Sequence, residues 1–289
     1  KRACRTMNDS VRVRVPATSA NIGPGFDALG VALRLANTVT VRRSSKAAPD
    51  AMADEAAAAF FGASKKKPFR FEWTILGDVP RSRGLGSSVT VRLGLLHGLN
   101  RLARAPLDDA ALYHLCAKLE GHPDNAAPAA FGGFTVARAD GSYLRCPVAT
   151  RLKFVLLIPD FEVRTADARR VLPRQIPFAD AVLSTANTAA ITAAFFARDY
   201  EALSAGCFSD GLHQPYRAPL VPGLEKVIAA GVKAGAQGGW LSGSGSTVAC
   251  VTLGDAQPVA AAMKKAFGSS SATIVTTTAD NRGVTIREN

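Results

Sequence analysis

A helix that begins on glycines limits what the chain around it can be. Residues 79–100 read VPRSRGLGSSVTVRLGLLHGLN. Pro80 stops the preceding extended run, and Arg81 and Arg83 set two cations on a short loop. Gly84-Leu85-Gly86 admits backbone angles that a side chain forbids. Beyond Ser87, Val89, Leu93, Leu96 and Leu99 recur at helical spacing, which predicts a helix starting at the two serines. The first N–H groups of a helix have no internal partner and lie at the positive end of its dipole, which makes an anion site. Small residues let a phosphate approach that backbone, and the Ser88 hydroxyl suits Mg²⁺. A serine-capped helix after a glycine turn is the simpler alternative. The two arginines favour phosphate. The loop is not GxxxxGK[ST], because no Lys follows the second glycine, nor is it a Rossmann GxGxxG.

The chain leading to this loop alternates. Residues 11–15 (VRVRV) predict a strand with one buried face, ended by Pro16. Residues 17–33 (ATSANIGPGFDALGVAL) are rich in turn formers and read as a loop, with Asp27 an isolated acid among small and apolar neighbours. Asn21 and Asp27 are turn residues or ligand contacts; a carboxylate at 27 suits an ammonium group or a hydroxyl. Residues 38–43 and 69–75 predict two more strands. Between them lie an Ala-rich helix over 47–62 and a solvated lysine run at 65–67. The glycines thus stand between a strand and a helix, as an anion site requires.

Downstream, residues 107–119 predict an amphipathic helix with Asp108 and Asp109 at its N-terminal end. It runs into EGHPDNAAPAAFGGF, where Glu120, His122, Asp124 and Asn125 crowd into six positions. A capped turn explains His122 alone. Four side chains able to bind metal, hydroxyl or carboxylate on one rigid turn suggest a site. Magnesium takes one or two carboxylates with phosphate oxygens, so Glu120 is the natural second ligand beside Ser88.

Near residue 150 the texture changes, which divides the chain into 1–150 and 151–289. An apolar strand over 152–158 is stopped by Pro159, and Thr165 is placed to cap a short helix with Arg169 one turn further on. Residues 180–196 predict a long apolar core helix, followed by Asp210, His213 and Arg217 in a Pro-bounded segment. A helix over 223–235 precedes a second Gly/Ser loop, GGWLSGSGSTVACV, which is a contact to phosphate or to the first loop, or a tight turn between strands. A helix over 258–267 and a strand over 272–278 close the chain.

Composition bears on partners. The net charge of +12 admits nucleic acid, an acidic surface or small anions. With 7% aromatics and no stacking residues among the basic ones, a site for polyanionic small molecules fits better than a nucleic-acid groove. No apolar run matches a membrane span and no signal-type N-terminus is present, residues 1–8 reading as a ragged basic leader. Five scattered cysteines without a CxxC pair argue for reduced thiols and a cytoplasmic chain.

RGLGSS at 83–88, ATSANIGPGFDALG at 17–30 and LSGSGST at 241–247 resemble the three motifs of the GHMP kinases. EGHPDNAAPAAFGG at 120–133 is similar to the signature of the homoserine kinases within that superfamily. Thr165 with Arg169, and HQPYR at 213–217, match the same family. The likeness spans roughly residues 10–250. Val89-Thr90, Trp240 and Ser246 depart from the family's usual small residues and Pro, and residues 44–68, which should border the adenine, match it poorly.

The resemblance implies an α+β, two-domain GHMP kinase fold. Its N-terminal ATP-binding domain (1–150) is like domain 2 of ribosomal protein S5, and its C-terminal domain (151–289) is ferredoxin-like. It implies transfer of the ATP γ-phosphate to the hydroxyl of L-homoserine, giving O-phospho-L-homoserine on the route to threonine. ATP would lie on Pro80, Arg81, Ser82, Arg83, Gly84, Leu85, Gly86, Ser87 and Ser88, with Gly243, Ser244 and Gly245. Asn21, Asp27, His122, Asn125, Thr165, Arg169 and Arg217 would surround homoserine. Ser88 and Glu120 match the family's Mg²⁺ ligands and carry the catalytic role. No general base is assigned; Asp124 is the alternative, with a structural role favoured. The family admits a homodimer. Rival readings are a paralogue acting on another small amino alcohol such as threonine, and a non-catalytic ligand sensor.

Overall fold

Val11, Val13 and Val15 alternate with two arginines and build the first half of β1 (Ser10–Ala20), which pairs antiparallel with β2 (Leu29–Arg43). The computed structural model describes residues 10–46, 50–268 and 271–288; the expected basic leader, Cys4 and the first three residues of the expected helix at 47 lie outside them. Contrary to expectation, Pro16 does not end the strand. The register shifts between Pro16 and Ala17, an irregularity where a residue lacking an N–H is tolerated. Across it the odd positions change sides: Val11, Val13 and Val15 pack in one core cluster and Ala17 in another. The segment expected to be a loop therefore contributes strand at both ends and keeps a turn only at 21–28.

Helix α1 (Ala51–Ser64) starts on Asp50, whose carboxylate accepts the Ala53 N–H. Next come β3 (Phe71–Gly77), α2 (Ser87–Leu102), α3 (Asp109–Glu120), α4 (Ala126–Phe131), β4 (Phe134–Ala137) and β5 (Tyr143–Cys146). Strands β1, β2, β4 and β5 lie side by side, with β3 also on β2. Helix α2 is buried along most of its length, with Gly94 and Gly98 pressed against Val39 and Val41 of β2.

The second sheet begins with β6 (Lys153–Pro159), whose residues alternate between two clusters: Phe154, Leu156 and Ile158 face the first sheet's side, Val155 and Leu157 the other. There follow α5 (Thr165–Arg170), α6 (Phe178–Ala197), α7 (Gln214–Arg217), α8 (Leu224–Lys233), β7 (Gly238–Leu241), β8 (Val248–Thr252), α9 (Ala256–Phe267) and β9 (Ala272–Thr278). Strand order β7-β8-β6-β9, with α8 before β7 and α9 before β9, is the split β-α-β-β-α-β arrangement of ferredoxin-like domains. The last strand, β10 (Thr285–Glu288), returns to the first sheet and pairs with β1.

Two expectations need correction here. Thr165 is the first residue of α5; Arg164 holds the cap position and no side chain caps the helix. Helix α6 is not a core helix: only Ser184, Ile191, Ala194 and Phe195 are buried, while Phe178 is 85% exposed and Val182 and Phe196 face solvent. With Asp180, Thr185, Asn187 and Thr188 among its residues, the helix buries one stripe against its neighbours, as a surface helix does. Among the described residues no helix is long and apolar enough to cross a membrane, and Cys116, Cys146, Cys207 and Cys250 are free thiols.

Candidate active site

The start of α2 has the geometry its sequence requires. Gly84 and Gly86 sit at φ +70 and +67, and a Cβ on either would run into Ser242 O or Thr18 Oγ1. No side chain caps the helix, so the N–H groups of its first turn stay available to a ligand. Leu85 between the glycines is buried in the central core and anchors the loop, and its carbonyl accepts the Thr18 N–H at 3.2 Å.

The second Gly/Ser loop, 242–247, joins β7 to β8 and also clamps the first. Ser242 Oγ donates to Gly84 O at 2.6 Å, and the Thr247 N–H donates to Arg83 O at 3.2 Å. The two loops, some 160 residues apart in the chain, thus form one wall. They border a cavity of about 300 Å³. From the first loop its lining includes Arg81, Ser82, Arg83, Gly84, Gly86, Ser87 and Ser88, and from the second Gly243 and Ser244. Glu120 at the end of α3 and His122, Asp124 and Asn125 from the turn after it face the cavity, and Asn21, Asp27, Thr165, Arg169 and Arg217 complete the lining. Of the expected residues, Pro80, Leu85 and Gly245 are not on the wall. Asp50, Met52, Trp73, Val89, Val91 and Val163 are on it without having been expected.

The expected cations serve different ends. Arg81 is exposed at the cavity, whereas Arg83 donates to the carbonyls of Arg81 (3.0 Å), Pro159 (2.9 Å) and Asp160, strapping the loop to the end of β6. Arg169 grips Asp27 bidentately at 2.7 and 3.1 Å, linking α5 to the 21–28 turn. Arg217 is only 2% exposed; it donates to Ala168 O and Gly243 O, both at 3.1 Å, and contacts His213 Nδ1 at 3.3 Å. Among the described residues it has no carboxylate in ion-pair contact. Burial and the nearby Arg169 pull its pKa down to about 10.

Smaller contacts fix the rest. Asn21 donates to Gly243 O at 3.0 Å and accepts the Asp27 N–H at 3.1 Å, which joins the turn to the second loop. His213 is buried and bonds Gly23 O through Nε2 at 2.9 Å; burial holds its pKa below the usual value. Asp124 Oδ1 accepts the Asn125 N–H at 2.9 Å and pairs with His122 Nδ1 at 2.7 Å. Burial opposes charging of His122, but Asp124 outweighs it and the pKa is raised. Asn125 Oδ1 accepts from Thr18 Oγ1 at 2.6 Å.

Ser88 Oγ donates to Glu120 Oε2 at 2.8 Å, so a hydroxyl and a carboxylate converge beside the helix start. Oxygen donors of this kind fit Mg²⁺, a hard cation. The other acidic group, Asp27, His122 and Asp124, has its ligand atoms within 4.8 Å of one another. There Arg169 takes both Asp27 oxygens and His122 takes Asp124, so that end is already supplied with positive charge. Arg92, one turn after Ser88, pairs with Glu120 Oε1 at 2.6 Å. Burial works against its charge, yet Glu120 and Glu55 together raise its pKa. Arg92 stands among apolar residues in the first half of α2, which was the signal for it in the sequence.

The profile of the GHMP kinases N terminal domain matches residues 51–133, and that of the GHMP kinases C terminal matches residues 191–269. The homoserine kinase of Halothermothrix orenii is 37% identical, over 95% of this chain and 96% of its own length. That of Carboxydothermus hydrogenoformans is 41% identical over 82% and 84%. The chain belongs to the homoserine kinase family of GHMP kinases. The crystal structure of homoserine kinase from Cytophaga hutchinsonii matches with a TM-score of 0.88 at 27% identity, covering 98% of this chain and 99% of that one. The chain thus has the two-domain GHMP kinase fold. In this homoserine kinase family member the apolar lining residues Met52, Trp73 and Val91 come from α1, β3 and α2, and nothing in their type or spacing separates them from ordinary core positions.

Proposed function

We infer that the protein transfers the γ-phosphate of ATP to the hydroxyl of L-homoserine, giving O-phospho-L-homoserine. Arg217 carries the reading: a buried guanidinium without a carboxylate partner among the described residues, beside the Asp27–Arg169 pair, in one cavity with an uncapped glycine-started helix. An unpaired buried cation calls for an anion, and the neighbouring ion pair offers the opposite charges of an amino acid zwitterion.

In this reading the amino acid's carboxylate lies on Arg217 and Arg169, and its ammonium on Asp27. His122 and Asn125, oriented by Asp124, would align the hydroxyl, and Asp124 acts through them as a positioning residue. Phosphoryl transfer through a loose transition state asks chiefly for alignment and for charge stabilisation. The N–H groups of α2's first turn, Arg81 and the second loop would receive the phosphates. Mg²⁺, when held by Ser88 and Glu120, would neutralise charge developing on the phosphate oxygens. Trp73, Met52 and Val91 would receive the base.

ADP release measured with homoserine, threonine, serine and mevalonate tests this. Homoserine is expected to give the highest kcat/KM. Turnover with homoserine equal to the buffer blank would overturn it.

A further inference from the structure

Arg92 is not part of the cavity wall, yet it holds a residue that is. It lies one turn beyond Ser88 on α2. Its Nη1 donates to Glu120 Oε1 at 2.6 Å and its Nη2 to Glu55 Oε2 on α1 at 3.0 Å. The other carboxylate oxygen, Glu120 Oε2, accepts from Ser88 Oγ at 2.8 Å. The Arg92 and Glu120 side chains are 14% and 7% exposed, so water competes little for this pair. Glu120 therefore has one oxygen committed to a fixed cation and one turned toward the serine.

We propose that Arg92 sets the metal selectivity of the site by restricting Glu120 to a single metal bond through Oε2. The proposal rests on the reading of Ser88 and Glu120 as metal ligands. Magnesium accepts an octahedral shell in which each carboxylate gives one oxygen, whereas calcium takes six to eight oxygens and commonly binds a carboxylate through both. To chelate a larger ion Glu120 would have to withdraw Oε1 from the guanidinium. Glu55 holds another nitrogen of the same planar fork, which restrains Arg92 from following it. The device thus penalises Ca²⁺ more than Mg²⁺.

The test uses the intact protein with homoserine and a non-hydrolysable ATP analogue. Bound Mn²⁺ is followed by electron paramagnetic resonance and displaced with Mg²⁺ or Ca²⁺. In Arg92→Met the ratio of displacing concentrations is expected to move toward Ca²⁺ by about fivefold or more, while Arg92→Lys, which keeps a cationic donor to Oε1, stays within about twofold of the parent. Glu120→Gln is expected to lose Mn²⁺ affinity by about tenfold. An unchanged affinity in Glu120→Gln would refute the ligand reading and this proposal with it. Weakened binding there, with the parent's ratio in Arg92→Met, would overturn the role of Arg92 alone. Should Arg92→Met fail to fold, Glu55→Gln on the exposed side frees the guanidinium and is expected to shift the ratio in the same direction by about twofold; no shift then overturns the proposal.

Discussion

At the scale of single residues, the chemistry of the site depends on which charges are already matched. Arg83 and Arg217 look alike in sequence, two arginines beside small or aromatic residues. Arg83 spends its donors on the carbonyls at the end of β6. Arg217 keeps a buried positive charge without a carboxylate in contact among the described residues. Replacing Arg217 with Lys keeps the charge but removes the planar fork that matches a carboxylate. We expect KM for homoserine to rise by about 30-fold, corresponding to about 2 kcal/mol, with KM for ATP within about twofold. Steady-state kinetics with each substrate varied in turn check this, and equal changes in both constants would count against the assignment. Which arginine binds and which braces was not legible from residue type, since the distinction lies in partners 26 to 76 positions away in the chain.

At the scale of elements, α2 was legible from end to end, whereas α6 was legible as a helix but not in its burial. The first has local signals: glycines at its start and apolar residues at helical spacing. It is enclosed so fully that even His97 is buried. Burial drives the His97 pKa down to about 4, with Asp109 opposing only weakly. The unfolded chain binds this proton near 6.5, while the folded one resists it until about 4. Stability contributed by neutral His97 is therefore complete above about pH 6.5 and is lost as the pH falls toward 4, by about 3 kcal/mol in total. Chemical denaturation at intervals from pH 7 to 4 is expected to show this slope, and His97→Leu to flatten it. Helix α6 misleads because hydropathy records what a side chain tolerates, whereas burial also needs a facing surface. Pro16 misleads in the opposite way: a bulge lets β1 continue past it.

At the scale of the whole molecule, the second Gly/Ser loop shows how distant segments complete one another. Its sequence admits both a tight turn and a contact to the first loop, and in the fold it is both: it joins β7 to β8 and bonds to Gly84 O. The return of β10 to the first sheet likewise had no sequence signal, because an edge strand is recognised only by the neighbour it pairs with. The net charge of +12 acts at this scale too. It favours an anionic nucleotide over a zwitterion with no net charge, and salt screens it over about 10 Å at 0.1 M. Raising KCl from about 20 to about 300 mM is expected to raise KM for ATP about threefold and to leave KM for homoserine within about 1.5-fold. A parallel rise in both would show that long-range charge does not distinguish them.

What the amino-acid sequence determined by itself is local: the glycine-started helix, the alternating strands, the cluster at 120–125 and the order in which they come. These follow from backbone freedom, spacing and hydrogen-bonding groups only a few residues apart. The tertiary structure alone decided the pairing of charges, Asp27 with Arg169, Glu120 with Arg92, and Arg217 with no carboxylate among the described residues. Electrostatic partnership depends on distance and on exclusion of water, and both are properties of the folded chain.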